Sequence, residues 1–210
     1  MTYLLYGANG SGSSIVEATL AELRLGYVLH TVDAARGAHR EAEYAAVNPH
    51  RKMPALVTPA GETLTESVAI VLTPTERHPQ PALLPPPASQ ERARALRWML
   101  FAATELYPII EIVDYPARFS PDEAATPGVR EKALGIWRDR WRIVEEALEA
   151  GPFVLGERFC ATDIYLAALS RWDLPADWRA VNLPKVDRLA AAVARRPALH
   201  EVWARHFPAR

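Results

Sequence analysis

Apolar and polar positions follow two different patterns along the chain, and the change comes near residue 80. In the first part, short apolar runs at 3–6 and 27–32 predict strands, and the stretch 13–25 between them has its apolar residues at helical spacing. A strand, a helix and a strand in this order imply parallel pairing with a right-handed connection. The chain therefore begins with a predicted α/β arrangement.

The same alternation continues up to the middle of the chain. Residues 40–47 predict a short helix, and residues 54–65 predict a hairpin because two strand-like runs flank a Pro-Ala-Gly turn. A further helix is predicted to begin near Glu66. The resulting order, β-α-β-α-β-β-α, is that expected of a thioredoxin-like domain of the α+β class. We assign residues 1–78 to this domain.

A proline-rich segment separates this pattern from a helical one. Five prolines fall between residues 79 and 87, which neither a regular helix nor an inner strand accommodates, so residues 79–88 are interpreted as a stiff linker. Apolar stripes within 96–110 and 134–148 have the 3-4 spacing of amphipathic helices, and Pro108 is expected to kink the first of them. Residues 89–210 are therefore predicted to form an all-α domain.

Composition narrows the classes of partner. With 24 basic and 25 acidic side chains the net charge is −1, which argues against nucleic acid or an anionic membrane held by bulk electrostatics. No apolar run approaches the roughly 20 residues that span a bilayer. The single cysteine and the six histidines lack the spacing of a metal site, so no metal is expected. These features favour a cytoplasmic protein without nucleic-acid or membrane partners.

Four short pieces of the first domain carry candidate chemistry. Ser11 and Ser13 stand in a glycine-rich loop before the first helix, and a basic pair precedes the Met-Pro step at 53–54. An acid and a hydroxyl, Glu66 and Ser67, stand at the start of a later helix. The fourth piece is His39, in the connection that leads to the Met-Pro segment.

Two of these pieces, the Met-Pro segment and the Glu-Ser pair, lie within longer motifs. The sequence reads Asn-Pro-x-x-Lys-x-Pro-Ala-Leu at 48–56 and Leu-Thr-Glu-Ser-x-Ala-Ile at 64–70, and later Gly-Glu-Arg-Phe-Cys-Ala-Thr-Asp-Ile at 156–164. The first two motifs at this spacing resemble the soluble glutathione transferases, most closely the serine-type theta class and its bacterial relatives. The third is similar to the family's second-domain signature. The resemblance covers essentially the whole chain, including the linker, and implies the glutathione transferase fold.

The resemblance implies glutathione as the ligand, and the charged groups of the tripeptide can be matched to residues. Ser67 at a helix N-terminus can offer its hydroxyl and backbone N–H to the γ-glutamyl carboxylate, which the helix dipole also attracts. Glu66 suits the ammonium group. Lys52, together with His39, suits the glycyl carboxylate, although His39 is equally well explained as an ordinary residue of its connection.

The central part of glutathione and its thiol are matched in the same way. The resemblance implies that Met53 pairs its backbone with the cysteinyl residue as an added strand would, before a cis Pro54. Read without gaps from Tyr6, Ser11 falls on the family's catalytic serine and would donate to the thiolate. Ser13 is the alternative, although it can equally be the N-cap of the first helix. Tyr6 is a second alternative because tyrosine-type classes activate the thiol from this strand.

The activity implied is a detoxifying conjugation of the glutathione thiolate to a small apolar electrophile, with glutathione as co-substrate and no other cofactor. The electrophile is expected to bind between the domains, and its wall is expected to include Trp98, Phe101, Glu105 and Tyr115. Family members are usually homodimers. Two other functions stay open: a non-catalytic module that keeps the fold for binding or assembly, and a glutathione-dependent peroxidase or lyase.

Two positions depart from the family pattern. Pro74 stands inside the predicted helix that begins near Glu66, where it removes a hydrogen bond and costs about 3 kcal/mol unless the helix kinks or ends. Cys160 replaces the usual Ser or Thr at the start of a helix in the second domain, with Asp163 completing the capping box. We interpret Cys160 as a buried structural thiol and not as a nucleophile.

Overall fold

The computed structural model describes residues 2–208, which form two compact units. The first unit contains the residues up to Pro85 together with 193–208, and the second unit is Pro86–Ala192. The change from one to the other at 85–86 falls inside the proline-rich segment 79–88. Residues 193–208, expected to belong with the helical domain, lie with the first unit.

A four-stranded sheet is the centre of the first unit. Its strands lie in the order β2-β1-β3-β4, with β1 and β2 parallel and the other pairs antiparallel. This confirms the predicted parallel pair and the predicted hairpin. The strands are β1 (Tyr3–Gly7), β2 (Tyr27–Thr31), β3 (Ala55–Val57) and β4 (Thr63–Leu64).

Three helices accompany the sheet: α1 (Ser13–Glu22), α2 (Ala42–Val47) and α3 (Ser67–Arg77). Residues from β1, α1, β3 and α3 pack into one apolar cluster, which fixes the starts of α1 and α3 relative to the end of β1. The cluster consists of Tyr3, Leu5, Val16, Leu20, Leu56 and Ile70.

Helix α1 is three residues shorter than predicted. Arg24 takes a left-handed φ of +55°, and the N–H of Leu25 donates to the carbonyl of Leu20 at 3.0 Å. Together with the bond from the Arg24 N–H to the Ala21 carbonyl, this closes the helix in the way that is usual when a glycine follows its C-terminus. The expectation that Gly26 lies just past the end was therefore wrong by two residues, because an arginine occupies the turn-forming position.

Helix α3 runs through Pro74 to Arg77, so the proline does not end the helix. Threonines at 73 and 75 stand on either side of the proline, and their hydroxyls donate to the carbonyl groups four residues earlier at 2.8 and 2.6 Å. These side-chain bonds supply local partners for carbonyls next to the one that Pro74 leaves without its usual donor. Pro74 itself stands about two helical turns after Glu66 and Ser67.

The second unit is helical, as predicted. Its first helix, α4 (Gln90–Phe101), passes through a π-helical turn, Ala102–Leu106, into α5 (Tyr107–Asp114), so the disturbance expected from Pro108 takes the form of a wider turn just before it. The remaining helices are α6 (Thr126–Ala147), α7 (Ala161–Leu169), α8 (Ala176–Asn182) and α9 (Pro184–Ala194).

The two predicted apolar stripes of this unit had different outcomes. On α6 the side chains of Trp137, Trp141 and Val144 are buried, as the spacing predicted. On α4 the stripe was wrong, because Leu100 is 50% exposed while its neighbour Met99 is fully buried. The buried residues Ala95, Met99, Ala102 and Leu106 keep the predicted spacing, but each lies one position earlier than the predicted stripe.

Helix α7 begins with an intact capping box. The sulfur of Cys160 accepts from the backbone of the third helical residue, and a carboxylate oxygen of Asp163 accepts from the Cys160 N–H at 2.7 Å. Burial, together with the nearby Asp163 carboxylate, raises the pKa of the Cys160 thiol far above its usual value. Cys160 is therefore a structural cap, as expected, and is not poised to become a thiolate.

The last helix, α10 (His200–His206), follows a 3-10 turn, Pro197–Leu199, and packs on α1 in the first unit. Arg196, just before that turn, binds the buried carboxylate of Glu22 with two hydrogen bonds of 2.5 and 2.8 Å. Among the described residues 2–208, none of these helices is both long and apolar enough to cross a bilayer.

Candidate active site

The serine loop, residues 8–12, joins β1 to α1. The carbonyl of Ala8 accepts from the Ser11 N–H at 3.2 Å, which closes a four-residue turn. Gly10, the third residue of that turn, has φ of +71°, as in a type II turn, and glycine adopts this value without steric cost. The turn brings Ser11 directly in front of the first turn of α1.

The two candidate serines share one hydrogen-bond cluster. Their hydroxyl oxygens are 2.9 Å apart, and each lies within hydrogen-bond distance of the Ala8 carbonyl, at 2.7 Å for Ser11 and 3.0 Å for Ser13. They differ in exposure, since Ser13 is fully buried whereas Ser11 is half-buried. The N-cap of α1 is Gly12, so the alternative in which Ser13 caps this helix was wrong.

Gly7 makes this cluster possible. A Cβ atom at Gly7 would lie 2.2 Å from the Cβ of Ser13, a distance that no two side chains can share. The absence of a side chain at the end of β1 lets the first turn of α1 sit directly against the strand. Ser13 is thereby held in place by close packing as well as by hydrogen bonds.

Tyr6 is half-buried and comes one position before Gly7 on β1. Because successive positions of a strand face opposite sides, the Tyr6 side chain lies on the face of the sheet away from the first turn of α1, against which Gly7 packs. There its ring packs against the rings of His30, at 4.8 Å, and Tyr44 of α2, at 6.0 Å. The described contacts of Tyr6 are thus with aromatic residues on the α2 side of the sheet.

The segment before β3 holds the Met-Pro step. The carbonyl of Lys52 accepts from the side-chain amide of Asn48 at 2.6 Å and from the hydroxyl of Tyr44 at 2.8 Å, while the Lys52 side chain is exposed. The Met53–Pro54 peptide bond is cis, as the resemblance implied. Burial raises the pKa of Tyr44 to about 12, so its hydroxyl remains a donor at neutral pH.

The start of α3 carries the acid and the hydroxyl. Ser67 is the first residue of this 11-residue helix and is half-buried. Glu66, just before it, has φ of +66°, and its side chain is 78% exposed, with an oxygen 4.0 Å from Nδ1 of His50. His39 lies half-buried in the 3-10 turn Ala38–Arg40, which precedes α2.

Comparison with known proteins identifies the family. A sequence model described as the N-terminal domain of glutathione S-transferases matches residues 13–73. The chain is 32% identical over 208 residues to an uncharacterised GST-like protein, YncG, of Escherichia coli, with 96% of this chain and 97% of that protein covered. The chain belongs to the glutathione S-transferase family. It is 30% identical over 201 residues to glutathione S-transferase GstA of E. coli O157:H7, with 94% of each chain covered.

A solved structure agrees on the fold of this glutathione transferase. A glutathione transferase homologue from Sulfitobacter, crystallised with bound glutathione, superimposes with a TM-score of 0.87 at 22% identity, covering 96% of each chain. At this identity the likeness establishes the fold, a thioredoxin-like region followed by a helical one. Within residues 2–208 of the transferase, no three His, Cys, Asp or Glu side chains are grouped so that they can hold a metal ion.

The four residues expected around the electrophile lie on the second unit of the transferase. Trp98 is 4% exposed and packs edge-on against the half-buried ring of Phe101, with 5.3 Å between ring centroids. The Glu105 carboxylate, in the π-helical turn, binds Arg140 at 2.9 Å. Tyr115, which follows α5, is 49% exposed and lies under the Arg118 guanidinium at 4.0 Å. Trp98 and Phe101 are therefore adjacent, and Trp98, Glu105 and Tyr115 each have an arginine partner, which for Trp98 is Arg97 at 4.2 Å.

A buried ion pair near the serine loop escaped the sequence reasoning. Glu17 of α1, fully buried, accepts from Nε2 of His206 at 2.6 Å, from the hydroxyl of Tyr27 at 2.8 Å and from Arg205 at 2.6 Å. Although burial raises the pKa of Glu17, the hydrogen bonds from His206 and Tyr27 and the positive charge of Arg205 outweigh it and leave that pKa below its usual value. Glu17 and His206 are 189 residues apart, so no local pattern connects them.

Proposed function

We propose that this transferase binds glutathione in its first unit and transfers the thiolate to an electrophilic carbon of a small apolar molecule. The observation that supports this most directly is the half-buried Ser11 hydroxyl, held at the N-terminal end of α1 with its oxygen in a preformed cluster of hydrogen bonds. A donor fixed at a helix N-terminus favours an anion, which is the charge that a thiol develops when it ionises.

The magnitude required is modest. A thiol with a pKa of about 8.5 is ionised to only a few per cent at pH 7, and lowering that pKa by about two units takes roughly 2.7 kcal/mol of preferential thiolate stabilisation. A hydrogen bond to a charged acceptor contributes about 1.5–3 kcal/mol, and the helix terminus adds to it. Ser11 and the start of α1 together are therefore sufficient without a general base.

Ser11 is favoured over its two alternatives by access. Ser13 is fully buried behind Gly7, so a ligand thiol would have to displace packed atoms to reach its hydroxyl. Tyr6 directs its ring to the α2 side of the sheet, against His30 and Tyr44. We propose that Ser13 orients Ser11 through the shared hydrogen bond and that Tyr6 packs behind the site.

The charged ends of glutathione would meet polar groups of the first unit that are exposed or half-buried. Ser67, with the N–H groups that begin α3, would receive the γ-glutamyl carboxylate, and Glu66 the ammonium group. Lys52, with His39 as a further candidate, would meet the glycyl carboxylate. The backbone of Met53 would pair with the cysteinyl residue as an added strand does.

The chemical step balances without any further reagent. The thiol proton leaves to water as the thiolate forms beside the Ser11 hydroxyl. The sulfur then donates an electron pair to the electrophilic carbon, a C–S bond forms, and the leaving group departs with the electron pair of its bond to that carbon. We propose that Trp98, Phe101, Glu105 and Tyr115 contribute to binding the electrophile. The cytoplasmic location and the homodimer expected from the resemblance remain predictions.

Calorimetric titration with reduced glutathione at pH 7, followed by an assay with a chlorinated dinitrobenzene electrophile, tests the proposal. We expect one glutathione per chain with an affinity between micromolar and low millimolar, and chloride release that depends on the protein. The S-methyl derivative of glutathione, which cannot form a thiolate, is the matched control and should bind without turnover. Glutathione binding without conjugation of any electrophile would favour the non-catalytic module, and no binding would refute the proposal.

A further inference from the structure

The imidazole of His206 has no assigned role and contacts the serine loop at Gly10, the residue before Ser11. Its Nδ1 accepts from the backbone N–H of Gly10 at 3.0 Å, and its Nε2 lies 2.6 Å from a carboxylate oxygen of Glu17. Both side chains are fully buried. One ring from α10 therefore spans the distance between the serine loop and the body of α1.

The hydrogen-bond partners determine the protonation of this ring. A backbone N–H can only donate, so Nδ1 of His206 must be the unprotonated nitrogen. The remaining ring proton is on Nε2, where it is donated to Glu17. Tyr27 and Arg205 bind the other oxygen of the same carboxylate, at 2.8 and 2.6 Å, and hold Glu17 in position. The ring is thus fixed at both ends by groups that are themselves fixed.

The Gly10 N–H is a group that the serine loop does not use for its own closure. The hydrogen bond that closes the turn is donated to the Ala8 carbonyl by the next N–H along the chain, that of Ser11. A polar N–H of a turn that is covered by a helix needs a partner, and His206 supplies it. Without that bond the Asn9–Gly10 peptide group would be the part of the loop that is free to rotate.

We propose that His206 is a positioning residue for thiol activation, which holds the serine loop against α1 through Gly10 on one side and Glu17 on the other. This rests on the proposed function, in which Ser11 donates to the thiolate. Ser11 follows Gly10 directly, and Ser13 stands one helical turn before Glu17. The ring therefore braces the two ends of the segment that carries the hydroxyl, so the Ser11 oxygen stays in place and its O–H has only to turn from the Ala8 carbonyl to the thiolate.

Two substitutions at the same site separate the two bonds. In His206→Asn, the amide oxygen can occupy the place of Nδ1 and keep the Gly10 bond while the Glu17 bond is lost. In His206→Gln, the longer side chain places its amide near Nε2 and keeps the Glu17 bond while the Gly10 bond is lost. His200→Gln, on the exposed face of the same helix, is the control for the substitution itself.

The first measurement needs no ligand. We expect amide hydrogen exchange at Gly10 to be about 10-fold faster in His206→Gln than in the parent, and close to the parental rate in His206→Asn and His200→Gln. The second measurement is the pH dependence of kcat/KM for the electrophile at saturating glutathione, which reports the ionisation of the bound thiol. His206→Gln should lower kcat/KM about 10-fold and move the thiol ionisation to higher pH, with glutathione affinity unchanged, while His206→Asn should recover most of the loss.

The outcomes separate this proposal from the function on which it rests. Unchanged Gly10 exchange in His206→Gln, or parental thiol ionisation in that variant despite faster exchange, would overturn the positioning role. Equal losses in the Asn and Gln variants, in parallel with their melting temperatures, would also overturn it, because a merely structural residue would behave in that way. If the parent itself binds no glutathione, the proposed function and the catalytic role of His206 fail together, and the exchange data still decide whether His206 holds the loop.

Discussion

The two helix starts that face the proposed ligand, those of α1 and α3, are built in opposite ways. At α1 the hydroxyls are buried or half-buried and are bonded to each other and to the carbonyl of Ala8. At α3 the Glu66 carboxylate is 78% exposed, and its described ionic partner, His50, is 4.0 Å away. Both starts place a serine hydroxyl at a helix N-terminus. Their surroundings therefore create the difference between them.

This contrast follows the chemistry that each start is proposed to perform. A group that lowers a thiol pKa must act in a dry and preorganised setting, where a hydrogen bond to a developing charge counts for more than it does in water. A group that meets the charged end of a peptide arriving from water gains from staying solvated until contact. Rigidity is therefore expected to matter at α1, and charge at α3.

The largest effect is expected from closing the space at the start of α1. In Gly7→Ala the new Cβ would lie 2.2 Å from that of Ser13, so strand and helix must separate, and we expect a loss of about 3 kcal/mol or more in the free energy of unfolding. Gly135→Ala is the matched control, because α6 has open space there and the change should stabilise by about 0.5–1 kcal/mol. Denaturant midpoints measure both, and equal midpoints would mean that the close packing at Gly7 has no energetic weight.

Removal of the proposed donor should have the next largest effect, on activity and not on stability. We expect Ser11→Ala to lower kcat/KM about 30-fold at pH 7, which corresponds to about 2 kcal/mol of thiolate stabilisation. Tyr6→Phe should stay close to the parental value. The pH dependence of kcat/KM checks both, and a larger loss in Tyr6→Phe than in Ser11→Ala would transfer the role to the tyrosine.

Replacement of the buried Glu17 carboxylate tests how much its bonds to α10 stabilise the fold. The pH dependence of the effect shows whether the ionised carboxylate is responsible. Because the pKa of Glu17 is lowered in the folded state, its contribution is fully present above the unfolded value near 4.5 and is lost as the pH falls through the folded one. We expect Glu17→Gln to cost about 2 kcal/mol at pH 7 and progressively less below about pH 4.5. Urea unfolding of the parent and of Glu17→Gln at pH 7 and pH 3.5 gives the comparison. A difference in unfolding free energy that does not depend on pH would contradict a stabilising role of the ionised carboxylate.

The smallest effect is expected at the exposed start of α3. Glu66→Gln should weaken glutathione binding no more than about 5-fold, since an exposed ion pair contributes about 0.2–1 kcal/mol, and added salt should reduce the difference. Glu62→Gln removes a carboxylate that pairs with Arg77 and should leave the affinity unchanged. Calorimetry at two salt concentrations measures this, and an effect as large as that of Ser11→Ala would remove the distinction between the two helix starts.

Local signals in the sequence were sufficient for most of the first unit. The strands, the hairpin and the start of α3 follow from short-range alternation and turn residues, and the cis bond before Pro54 followed from the resemblance. Local spacing did not predict two helix features, in which neighbouring residues make an unfavourable residue acceptable. Helix α3 continues through Pro74 with threonines on either side, and the turn after α1 uses a left-handed Arg24, whereas a glycine two residues later was expected there.

The candidate site was predictable only in part, for a related reason. Lys52, Met53, Glu66 and Ser67, all proposed to bind glutathione, lie in short motifs, so the order of amino acids is sufficient to name each of them. The groups that hold them come from elsewhere: Asn48 and Tyr44 bind the carbonyl of Lys52, and His206 reaches Gly10 across 196 positions of sequence. The asparagine could have been noticed as part of its motif, but six histidines without a common spacing gave no reason to single out one of them.

The return of residues 193–208 to the first unit also has a consequence for synthesis of the protein. A ribosome makes about 5–20 residues each second, so Glu17 leaves the exit tunnel on the order of ten seconds or more before His206 has been added. During that interval α1 exists without α10, and its carboxylate stays hydrated or is met by other partners. The unit that is translated first is therefore completed last, after the whole intervening helical unit has been made.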